Sequence, residues 1–164
     1  MSATDIKNTI AVLVVMTLIL GILIMTPSLT YAQNSTPSSS GGGKNMKKPT
    51  SGGALDVFLQ PSPQPLGHTS PTSFKVEFMT KGSDNKVQPH IDYDFIIKDS
   101  SGKQVFSASQ LAGQSGKPLH TSEGIVTIPY TFQAPGEYSI SVSVYGILFN
   151  PIEPESTDFT IKVI

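Results

Sequence analysis

An all-β chain, folded as an Ig-like seven-stranded antiparallel β-sandwich, is what three observations predict. Apolar residues alternate with polar ones at period two in stretches spread from residue 54 to 164. Gly, Pro, Asn and Ser break the alternation between stretches, and no stretch shows helical periodicity. The tetrapeptide Pro135-Gly136-Glu137-Tyr138 places a turn and then a tyrosine at the start of the penultimate strand. In Ig-like sandwiches such a tyrosine ties its strand back to a nearby backbone group.

The elements follow in order. Leu55, Val57 and Leu59 mark a first strand, and Phe74, Val76 and Phe78 a second. Ile91, Tyr93, Phe95 and Ile97 mark a third. Asp99-Ser100-Ser101-Gly102 is a turn, because Asp bonds its own backbone and Gly accepts positive φ. Lys103 to Ser107 returns as a short fourth strand. Val126, Ile128, Tyr130 and Phe132 mark the fifth, and Pro129 within it lacks a ladder donor, so that strand lies at an edge or is bulged. Tyr138, Ile140, Val142 and Val144 mark the sixth, with Ser139, Ser141 and Ser143 turned outward, and Phe159, Ile161 and Val163 the seventh. Two sheets with apolar faces apposed bury such a set.

The domain so defined, residues 54–164, is preceded by two segments of other character. From Ile10 to Met25 no residue is charged; Lys7 precedes the run, and Thr30-Tyr31-Ala32 follows it with small residues suited to cleavage after Ala32. Residues 1–32 are therefore a signal peptide or an N-terminal membrane anchor. Residues 33–53, QNSTPSSSGGGKNMKKPTSGG, hold little to bury and read as a disordered linker. A coil of that length spaces the domain about 25 Å from its attachment, which suits a retained anchor as well as cleavage. Asn34-Ser35-Thr36 is a glycosylation acceptor sequence within the linker.

Charge and composition exclude several functions. The domain has seven lysines against eleven carboxylates, leaving −4. The chain has no arginine, the usual reader of phosphate and guanine, which argues against nucleic acid. It has no cysteine, so disulfides, thiolate metal sites and cysteine nucleophiles are excluded. Gly113-Gln114-Ser115-Gly116-Lys117 has neither the spacing of a phosphate loop nor that of a serine elbow, and reads as a surface loop. Glu153 and Glu155 lie in a Pro-rich loop as solvated charges. With no nucleophile–base pair favoured by context, the chain is expected not to be an enzyme.

Two groups remain as candidate sites. If the strands alternate direction, His90, His120 and Met79 fall at one end of the sandwich, with Glu153 or Glu155 nearby, and His68 falls at the other. Two imidazoles with a thioether or carboxylate suit copper or zinc. Asp92 and Asp94 share the outward face with His90 and are expected to be solubilising residues. Tyr145, Leu148, Phe149 and Ile152 are unusually apolar for a loop and are candidates for a partner-binding patch.

The stretches HIDYDFIIKDSSGKQVFSAS and PLHTSEGIVTIPYTFQAPGEYSISVSVYGILFNPIEPES resemble a secreted Ig-like domain recurrent in ammonia-oxidising archaea. Some relatives carry a C-terminal sorting anchor with a Pro-Glu-Phe-Gly motif, whereas here Val163-Ile164 closes the last strand. The resemblance implies fold and an extracytoplasmic location, and little chemistry. The expected role is a non-enzymatic binding or cell-surface structural module, partnered by a surface protein or envelope component. It would meet the membrane through residues 1–32 if these are uncleaved. The alternative is a copper- or zinc-binding accessory, or metallochaperone, using His90 and His120.

Overall fold

The computed structural model describes residues 46–83 and 86–164. The expected leader or anchor, the glycosylation acceptor Asn34 and most of the linker lie outside the described residues. Among those described, no helix is long and apolar enough to cross a membrane.

Nine strands form two antiparallel sheets among the described residues. The first sheet holds β1 (Met46–Pro49), β2 (Leu55–Ser62), β3 (Pro71–Thr80) and β7 (Ile125–Thr131), in the order β1-β2-β3-β7. The second holds β4 (Ile91–Lys98), β5 (Gln104–Ser107), β6 (Leu119–Thr121), β8 (Gly136–Ile147) and β9 (Asn150–Val163). Its order is β5-β4-β8-β9, and β6 also pairs with β4. One helical turn, α1 (Ala108–Leu111), follows β5.

The all-β sandwich expected from the alternation is the observed fold. The inward residues of β2, β3, β4, β8 and β9 form one buried cluster. Rings join the sheets across it: Phe74 of β3 lies 5.5 Å from Phe95 of β4, and Phe78 lies 5.5 Å from Tyr93. The Tyr138 hydroxyl donates to the Ala134 carbonyl at 2.9 Å, which is the strand-to-turn tie expected of that tyrosine. Pro129 sits in β7, an edge strand of the first sheet, so its missing donor breaks no ladder.

Three expectations are corrected. The strands number nine, not seven, because β1 and the three-residue β6 carry no full alternation. β1, Met46–Pro49, falls within the stretch assigned to the linker, residues 33–53. β1 forms by pairing its backbone with β2, which needs no apolar face; Lys47 bridges to Asp56 at 3.4 Å, and Lys48 donates to the Asp158 carbonyl at 2.7 Å. Asp94 is not a solubilising surface residue but is 8% exposed. Its carboxylate accepts from the Phe95 and Ser109 amides and from the Ser107 and Ser109 hydroxyls, fastening β4 to the β5–α1 corner.

Glu155 is also more than a loop charge. It lies within β9 and accepts from the Thr50 hydroxyl and from the Ala54 amide at 3.0 Å. The Thr50 hydroxyl, with help from the Ala54 amide, holds its carboxyl below the ordinary range. A Cβ on Gly52 would stand 2.2 Å from the Glu155 carboxylate, so a side chain there displaces that carboxylate.

Candidate functional site

The sandwich brings His90 and His120 together at one end. β6 pairs with β4 so that His120 stands opposite Asp92, and that cross-strand pair sets their side chains in contact. His120 Nδ1 lies 2.7 Å from Asp92 Oδ1. An ionised carboxylate only accepts, so Nδ1 carries the proton, and in the neutral ring Nε2 keeps its lone pair. That nitrogen lies 3.5 Å from His90 Nδ1.

Asp92 reaches this position because its other neighbour has no side chain. Gly146 of β8 is its Cα partner, and a Cβ on Gly146 would stand 2.5 Å from Asp92 Oδ2. The register shifts here and leaves Tyr145 as an extra residue between Val144 and Gly146. Bulges of this kind re-aim neighbouring side chains.

The third contributor is the β8–β9 turn. Leu148 and Phe149 are its two central residues, with φ of 52° and 66°. Positive φ at both is the type I′ pattern that normally selects Asn-Gly. His90, with φ of 53°, is left-handed as well, and its carbonyl accepts the Leu148 amide at 2.8 Å. Three of the four non-glycine residues with positive φ among those described therefore meet in one place. The Phe149 ring lies 4.2 Å from the His90 ring and 5.6 Å from that of His120. It remains 69% exposed, and Leu148 beside it 48%.

The other sequence candidates go elsewhere. Met79 is 5% exposed, within β3 opposite Asp56, so its thioether is not an open ligand. Tyr145 is half-buried at the bulge, and Ile152 packs against the core, leaving Leu148 and Phe149 as the exposed part of the apolar group. Glu153 is exposed, and Glu155 is held by Thr50 and Ala54. His68 lies at the opposite end, its Nδ1 2.8 Å from the Ile164 carbonyl. Among the described residues, no group of three or more His, Asp or Glu is arranged to hold a metal ion. The imidazole pair offers two donors and not a full shell.

The role of Asp92 was invisible in sequence because β6 is too short to show a period. Its signal is indirect: a strand aspartate needs a partner, and recognising Leu119–Thr121 as a strand would have supplied His120.

No protein-family model matches the chain, and no curated protein is similar to it. Among solved structures, it is similar to the PmoD soluble domain from Methylocystis sp. strain Rockwell, at 12% identity and a TM-score of 0.43, over 70% of this chain and 96% of that one. It is similar also to the C-terminal domain of wzt, at 16% identity and a TM-score of 0.38, over 74% of this chain and 78% of that one.

Proposed function

We propose that the domain is a non-enzymatic, extracytoplasmic binding module whose working surface is the end built from His90, His120, Leu148 and Phe149. The observation that carries this is the concentration of left-handed backbone there. Each such L-residue costs about 1–2 kcal/mol, and strain of this kind persists where surrounding structure enforces it, most often at sites of use. Here it holds two large apolar side chains at an exposed tip. The most elaborate carboxylates, Asp94 and Glu155, serve structure and not chemistry. Hydrophobic-dye binding tests the surface: wild-type protein binds dye, and Leu148→Asn/Phe149→Gly loses it. A dye-silent wild-type domain argues against a binding tip.

A second reading rests on the imidazole pair. Its 3.5 Å separation is long for a hydrogen bond. Two nitrogens on one tetrahedral ion, with bonds of ~2.05 Å, stand about 3.3–3.4 Å apart. Asp92 behind His120 is the carboxylate–histidine arrangement that fixes the tautomer of a metal ligand. The module then binds zinc or copper as an accessory protein. Titration with Zn(II) and Cu(II) checks this against His90→Asn/His120→Asn. Equal, weak binding by both proteins removes the metal reading.

A further inference from the structure

Resting on the metal reading, we infer that the pair is half of a site, completed by His90 and His120 of a second copy of this chain on one tetrahedral Zn(II). Each chain supplies two imidazole nitrogens, His90 Nδ1 and His120 Nε2, 3.5 Å apart. A structural zinc site takes four protein ligands. Among the described residues no third ligand closes the set, and the buried Met79 does not supply one. The remaining histidine, His68, lies at the far end of β9. The set is therefore completed from outside the described residues.

A second copy fits that requirement. A two-fold axis through the ion repeats the same pair and gives four nitrogens from two identical surfaces. The rim suits it too. Phe149 and Leu148, both exposed, flank the imidazoles and bury each other's apolar area when two such ends meet. The ion also offsets the charge repulsion between two domains of −4 each, from seven lysines and eleven carboxylates.

Native mass spectrometry of the purified full chain, titrated with Zn(II), tests this. The expected species is a dimer carrying one Zn(II), returned to monomer by a chelator. His90→Asn and His120→Asn each abolish it, and His68→Asn leaves it unchanged. Asparagine is chosen at position 90 because it tolerates left-handed backbone, so the fold is retained. A monomer carrying one Zn(II) overturns the shared site and leaves the metal reading standing. A chain that retains no Zn(II) overturns both. A dimer that persists in chelator, or in both variants, also overturns the proposal, since apolar contact alone then joins the copies.

Discussion

Gly146 shows how much one missing side chain controls. Its lack of a Cβ admits the Asp92 carboxylate, and Asp92 in turn fixes the tautomer of His120. In Gly146→Ala the new methyl meets the far end of a flexible side chain, so the carboxylate swings away at modest cost to stability. His120 then loses its orienting partner, and on the proposed metal reading the affinity for Zn(II) is expected to fall roughly tenfold or more. Nitrogen chemical shifts of His120 read the tautomer directly; an unchanged Nδ1–H form in the variant contradicts this account. Glu155 works by charge instead. Its carboxyl is held below the ordinary value of 4.5 by the Thr50 hydroxyl and then the Ala54 amide. A depressed folded-state value means that the contribution is complete above the unfolded value and disappears as pH falls through the folded one. Glu155→Gln is therefore expected to lower stability near neutral pH by about 1 kcal/mol or less, screening by solvent limiting the effect. Urea midpoints of the two proteins converge as the pH drops below 4.5. A gap that persists in acid shows that the clasp is not electrostatic.

At the scale of elements, the β8–β9 turn and the β4–β5 corner present opposite cases. The turn places Leu148 and Phe149 where Asn-Gly is the relaxed choice. Replacing them by Asn-Gly relieves backbone strain and gives up the stacking on His90, for a net gain of about 1 kcal/mol. The variant unfolds at higher urea concentration; an unchanged or lower midpoint means the turn carries no strain. The corner is tuned for stability. Asp94 lies buried with four donors around it, and Asp94→Ala leaves the Ser109 amide without its acceptor and at least one of the Ser107 and Ser109 hydroxyls, which otherwise donate only to each other, without one. The expected loss is about 3 kcal/mol, measured as a shift in urea midpoint. Neither case was legible as such. Leu148 and Phe149 read only as apolar loop residues, because type I′ geometry leaves no trace when glycine is absent. Asp94 stands at an outward position by parity, and only the fold of the next segment over it makes it buried. The strands with strict alternation were legible throughout, since a face that must be buried fixes register by itself.

At the scale of the whole molecule, the question is where the folding unit starts. Composition divides the chain before Ala54, because alternation begins at Leu55 and the residues before it are small or polar. The structure nevertheless places Met46–Pro49 in the first sheet, for reasons composition does not carry. β1 adds a backbone ladder to the edge of β2. Lys48 then crosses to the other sheet, donating to the Asp158 carbonyl at 2.7 Å and standing 5.4 Å from the Phe159 ring centre. Ser51 and Ser156 exchange two further bonds, of 2.8 and 3.1 Å, and Thr50 meets Glu155. These contacts join the free edges of the two sheets at β1 and β9, so the segment acts as a seam. A chain beginning at Ala54 loses all of them and exposes the β2 edge, a template for pairing with other chains. Several hydrogen bonds at about 1 kcal/mol each put the cost at about 2–4 kcal/mol. Urea denaturation of chains beginning at Met46 and at Ala54 measures it, and sedimentation velocity detects association through the opened edge. Equal stability of the two would show that the sandwich closes without β1.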